Sequence, residues 1–109
     1  MMSNPIDRDE VRALLDEGAI VLIDAQGPGK FEHRHIPGAI HAMQDNPGAV
    51  LAAIGPDLER AIVTYCTDEA CTGSAHAAAL LEAAGYRNVR RYVGGAADWE
   101  AAGLPIERT

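Results

Sequence analysis

Two cysteines, Cys66 and Cys71, stand five positions apart in the stretch CTDEACTG (66–73), and the chain has no others. A thiol can attack an electrophilic sulfur, pair with a second thiol, or bind a metal, and in each case the thiolate is the active form. Zinc needs further Cys or His at suitable spacing, and none lies beside this pair, so no metal is expected. A cysteine next to a strand is often only a small buried hydrophobe. Here Thr67, Asp68, Glu69 and Thr72 surround it, which is not core composition. Nucleophilic or dithiol chemistry is the sharper reading.

The segments around the pair place it. AIVTY (61–65) is apolar and β-branched, the pattern of a strand covered on both faces, and it delivers Cys66 at its carboxyl end. Ser74 is suited to cap a helix over AHAAALLEAAG, with Gly85 as its stop. That helix is apolar around most of its circumference and is expected to be covered. Sites in open parallel sheets form at the carboxyl ends of strands. Amides of the loop and of a helix N-terminus there favour an anion. Thr67, Asp68, Glu69, Ala70, Thr72, Gly73 and Ser74 are therefore the candidate substrate-binding residues. Both a thiolate and a persulfide on Cys66 would be stabilised by such a cradle.

The remaining segments alternate in type. Asp7 with Glu10 resembles a capping pair ahead of Val11, Leu14 and Leu15, and Gly18 ends that helix. AIVLI (19–23) reads as a buried strand closed by Asp24. Residues 27–38, with Gly27, Pro28, Gly29, Pro37 and Gly38, read mostly as loop. GAIHA (38–42) holds a short strand. Asn46-Pro47 reads as a cap and first turn for a helix over Gly48–Ile54, broken by Gly55-Pro56. Val89–Val93 is a third clear strand, Gly94-Gly95 a turn, and Ala96–Ala102 a last helix ended by Gly103 and Pro105. Strands alternating with helices imply parallel crossovers. The expected class is α/β.

Composition bounds the partners. The 109 residues suit one domain, taken as residues 1–109. The charge is −7 and the pI about 4.9, with basic residues scattered, so nucleic acid and anionic membrane surfaces are not expected partners. The N-terminal residues lack the layout of a signal peptide, and no apolar run approaches the roughly 20 residues of a membrane span. A soluble, cytoplasmic protein is expected, where paired cysteines more often do chemistry than staple a fold.

Four stretches together resemble the rhodanese-like family: VLIDAQ (21–26), HIPGAIH (35–41), IVTYC (62–66), and GGAADW (94–99) followed by AAGLPIE. They span about residues 6–107 in the family's order. The resemblance implies a three-layer fold, a roughly five-stranded parallel sheet with helices on both faces. It implies sulfane-sulfur transfer through a persulfide on Cys66, which matches the family's nucleophile. The donor would be thiosulfate or a low-molecular-weight persulfide, the acceptor a small thiol or a protein. No cofactor is implied.

Departures from the family pattern concentrate in the loop. The basic residue usual five positions after the nucleophile is Cys71, and Ser74 follows two positions late, giving a variant Cys-x4-Cys-x2-Ser loop. The family's arginine two residues after the first aspartate is Gln26, and Arg34 replaces a glycine, so Asp24 could pair with Arg34 instead. Asp68 and Glu69 oppose a dianion such as thiosulfate: at an effective dielectric near 20, a charge pair about 5 Å apart is worth roughly 3 kcal/mol before screening. Cys71 can be a resolving thiol, the nucleophile itself, or a bystander. A redox-sensing or inactive binding module is the competing function. Cysteine-based phosphatase chemistry wants a nearby arginine, and none follows either cysteine within ten residues.

His35 reads as a structural hydrogen-bonder beside Pro37, and Trp99 as core. Gly94 and Gly95 supply a turn that, in the family, approaches the site. His33, His41 and His76 have no evident partner.

Overall fold

Short β-branched runs separated by chain breakers build one sheet. A computed structural model describes residues 4–27, 29–42 and 47–108. Its elements run β1 (Asn4–Pro5), α1 (Arg8–Asp16), β2 (Val21–Asp24), α2 (Lys30–His33), β3 (Ile40–His41), α3 (Pro47–Ile54), β4 (Ile62–Tyr65), α4 (Gly73–Ala83), β5 (Val89–Tyr92) and α5 (Gly95–Ala101). All strand pairs are parallel, in the order β1-β5-β4-β2-β3. β4 is thus central, with Val63 in register with Leu22 on one side and Arg90 on the other.

Alternation along the strands divides the core in two. Leu22, Val63, Tyr65 and Tyr92 pack with Val11 of α1 and with Ala96 and Trp99 of α5. Ile23, Ile62 and Val89 pack with Val50 and Ile54 of α3 and with Ala78 and Leu81 of α4. Every residue of β4 is buried, so no polar face was available to reveal its direction. The three-layer α/β expectation stands.

Local signals fall largely where expected. The Glu10 amide donates to Asp7 Oδ1 at 2.8 Å and starts α1. Gly18 and Gly85 adopt positive φ just beyond α1 and α4, which lets the chain turn off each helix. The Asn46 cap lies outside the described residues.

Three expectations change, and one strand is added. β1 has no periodic signature in two residues, and it forms because β5 offers an edge: the Ile6 amide donates to the Arg91 carbonyl at 3.0 Å. Residues 30–33, expected as loop, form the single turn α2. Ser74 does not cap α4: Thr72 occupies that position without a side-chain bond, and Ser74 is buried as the second residue of the helix. Nor is α4 covered all round, since Leu80 is 56% exposed while Ala78 and Leu81 are buried. Alanine dominates its outer face and presents too little apolar area to require a second layer. No helix among the described residues is long and apolar enough to cross a membrane.

Candidate functional site

β4 ends at Tyr65, and Cys66 follows with its side chain buried. Its sulfur is bonded to that of Cys71, with the two Cα atoms 6.1 Å apart. Asp68 makes this approach possible. Its Oδ1 accepts from the Ala70 amide at 3.0 Å, and its carbonyl accepts from the Cys71 amide at 3.2 Å. Both bonds fold the loop back, bringing the half-exposed Cys71 over the buried Cys66.

Two glycines wall the pair. A Cβ at Gly73 would lie 2.6 Å from the Ala25 carbonyl oxygen, 3.1 Å from Cys66 Sγ and 3.5 Å from Cys71 Sγ. A Cβ at Gly95 would run into the Cys66 carbonyl, and Gly95 has φ +69°. This closeness lets the first amides of α5 reach the loop: Ala96 N–H donates to the Cys66 carbonyl at 3.0 Å and Ala97 N–H to that of Thr67 at 2.9 Å. Gly94 precedes this contact and lies against Asp98.

A buried polar chain anchors the loop to the sheet. Thr67 Oγ1 donates to Gln26 Oε1 at 2.9 Å. Gln26 Nε2 donates to Asp24 Oδ2 at 2.8 Å and to the Arg34 carbonyl at 2.7 Å. Asp24 also accepts from the Gln26 amide at 2.7 Å and from Tyr65 Oη at 2.5 Å. Tyr65 in turn accepts from the Ile36 amide at 3.0 Å. Burial, then the charge of Asp24 and the bond to it, push the Tyr65 phenol far up, so it remains a donor. The suggested Asp24–Arg34 pair is not formed. Arg34 instead pairs with Glu100 at 2.7 Å, and hydrogen bonds from Arg34 and then Arg108 hold the Glu100 carboxyl below its usual range. Neutral donors alone satisfy Asp24, so no guanidinium needs to be desolvated beside it.

The other candidates spread outward from this centre. Asp68 and Glu69 are exposed. Ser74 is buried, its carbonyl accepting from Thr64 Oγ1 at 2.9 Å. Its hydroxyl accepts from Arg91 Nη2 at 3.2 Å and Nε at 3.3 Å. Arg91 was not singled out in the sequence: it lies 17 residues away on β5, and only strand pairing brings a cation to the start of α4. His35 is buried, with Nδ1 2.8 Å from the Phe31 carbonyl and Nε2 3.2 Å from Glu107 Oε1. His41 does have partners, since Nε2 lies 2.7 Å from the Gln26 carbonyl and its ring stacks on Phe31 at 4.6 Å. His33 and His76 are exposed. Trp99 is buried, with Nε1 donating to the Pro105 carbonyl at 2.9 Å. No group of three or more His, Cys, Asp or Glu among the described residues is placed to hold a metal ion.

Comparison with known proteins gives a consistent picture. The family model described as a rhodanese-like domain matches residues 7–102. An HTH-type transcriptional regulator of Mycobacterium tuberculosis is 32% identical over 94% of this chain, which spans only 44% of that protein's length. The thiosulfate sulfurtransferase GlpE of Pseudomonas syringae pv. syringae is 33% identical over 86% of this chain and 84% of its own. Among solved structures, a human single-domain sulfurtransferase superposes with a TM-score of 0.73 at 25% identity, covering 91% of this chain and 96% of its own.

Proposed function

The chain belongs to the rhodanese-like domain family, and from that premise we propose that it is a sulfurtransferase carrying sulfane sulfur as a persulfide on Cys66. One observation supports this above the others. Cys66 directly follows the central strand, with Gly73 and Gly95 leaving room against its sulfur and its carbonyl. The sulfurtransferase names of its relatives point the same way.

The loading step needs the reduced protein. The Cys66 thiolate attacks the outer sulfur of the donor. Sulfite leaves if the donor is thiosulfate, and a thiolate leaves if it is a low-molecular-weight persulfide. The sulfane sulfur stays on Cys66, and neither route calls on a metal or organic cofactor. An acceptor thiol, small or on a protein, then takes the sulfur. The exposed carboxylates of Asp68 and Glu69 weigh against a dianionic donor such as thiosulfate and favour a less charged sulfur carrier or a protein partner. The reaction suits the cytoplasm, where thiols are kept reduced.

A second reading, a redox-sensing module without transfer activity, is favoured by the bond between Cys66 and Cys71. Mass measurement separates the two. Reduced wild-type protein and the Cys71→Ser variant are mixed with thiosulfate or glutathione persulfide and trapped within seconds. A gain of roughly 32 Da on Cys66, lost in Cys66→Ser, is expected. No gain with either donor in either protein would leave only the sensing module.

A further inference from the structure

We infer that Cys71 is the internal acceptor for the Cys66 persulfide, so that the domain releases its sulfur as hydrosulfide and is restored by a dithiol. This rests on the persulfide reading above and identifies the acceptor within it. The bond joins Cys71 Sγ to Cys66 Sγ, the sulfur that would be the inner atom of a Cys66 persulfide. Asp68 holds the loop in the turn that produces this approach, through bonds of 3.0 and 3.2 Å to the Ala70 and Cys71 amides. Gly73 leaves space against both sulfurs at once. A bystander at position 71 would need neither the turn nor the shared space.

The step balances. The Cys71 thiol loses its proton as its sulfur attacks Cys66 Sγ in the persulfide anion. The Cys66–Cys71 bond forms, the bond from Cys66 Sγ to the sulfane sulfur breaks, and that sulfur leaves with the proton as hydrosulfide. The sulfane sulfur gains two electrons and the two cysteines together lose two. Exchange runs fastest with a weakly basic leaving group, and hydrosulfide is less basic than an alkyl thiolate. Reopening takes two electrons from an external dithiol. Cys71 is half-exposed and Cys66 buried, so the dithiol's first thiolate attacks Cys71 Sγ and frees Cys66 Sγ. Its second thiol then displaces Cys71, leaving the dithiol as a disulfide.

The test uses the reduced full chain under argon with one equivalent of glutathione persulfide and no other reductant. The expected wild-type result is about one equivalent of hydrosulfide, loss of both alkylatable thiols, and renewed release only after dithiothreitol is added. Cys71→Ser and Cys71→Ala, each checked for folding by circular dichroism, should instead keep the roughly 32 Da adduct and release at least tenfold less hydrosulfide. A wild-type protein that holds its adduct as long as these variants do overturns the role of Cys71 and leaves the persulfide reading standing. Absence of any adduct in the variants, with no hydrosulfide from the wild type, overturns both.

Discussion

The hydroxyl of Thr67 and the side-chain carbonyl of Gln26 meet at 2.9 Å, so the residue after Cys66 hangs from the residue two past Asp24. Through Gln26 the loop is tied to a buried carboxylate, and through Tyr65 that carboxylate is tied back to the strand delivering Cys66.

Gln26→Ala should therefore act on both fold and site. It removes one of the two donors to Asp24 Oδ2 and takes the Gln26 partner from the Arg34 carbonyl and the Thr67 hydroxyl, at a cost of about 1–3 kcal/mol. The urea midpoint should fall, and persulfide loading should slow further than in Thr67→Val, which leaves the Gln26–Asp24 bond in place. Equal loading rates in the wild type and Gln26→Ala would contradict the anchoring role.

Gly95→Ala and Gly103→Ala separate conformation from space. Both positions have positive φ, at +69° and +77°, but only at Gly95 does a Cβ collide, with the Cys66 carbonyl. Gly103→Ala should cost about 1 kcal/mol, and Gly95→Ala about 1–3 kcal/mol more. Denaturant titration measures the difference, and, with Cys71→Ser also present so that the adduct is retained, intact mass after loading should show a reduced adduct for Gly95→Ala alone.

Alkali should destabilise the fold through two tyrosines. Burial comes first in raising the phenols of both Tyr65 and Tyr92, followed by a carboxylate bonded to each, Asp24 and Asp98. A raised folded-state value means that stability is complete below the unfolded value near 10 and is lost as pH rises beyond it. Each tyrosine then removes about 1.4 kcal/mol per pH unit. Urea midpoints should hold from pH 8 to about pH 9 and fall between pH 10 and pH 11, and Tyr92→Phe should flatten the slope.

Removing loop charge should favour an anionic donor. Glu69 is exposed, so Glu69→Gln should raise kcat/KM for thiosulfate by about threefold at low salt. In about 1 M salt, where screening acts within roughly 3 Å, the gain should vanish. A sulfur donor without net charge should show no such change.

The strands and helices with strong patterns were legible. AIVTY and AIVLI announced themselves because both faces of a central parallel strand are apolar, and Asp7, Gly18 and Gly85 are residue types that end or start helices by their own geometry. β1 was not legible, since two residues carry no period and their pairing belongs to β5. The partner of Asp24 was missed for a related reason. A buried carboxylate in a sequence points to a cation, whereas the amide of Gln26 and the phenol of Tyr65 carry no charge to mark them as its partners. Ser74 had the right chemistry for a cap, but the cap falls two residues earlier, at Thr72, and the Ser74 hydroxyl turns inward to Arg91. Cys66 and Cys71 were readable as a pair, whereas their bond depended on a turn set by the Asp68 side chain.

The bridge between Cys66 and Cys71 spans only five positions. Constraining so short a ring limits the unfolded chain by about 2 kcal/mol, against nearly 5 for a ring of about a hundred residues. Closing or opening it therefore leaves most of the folding free energy in the two packed layers, untouched. The folded layers can then stay in place in either oxidation state of the sulfurs, so electron traffic at the loop need not be accompanied by unfolding.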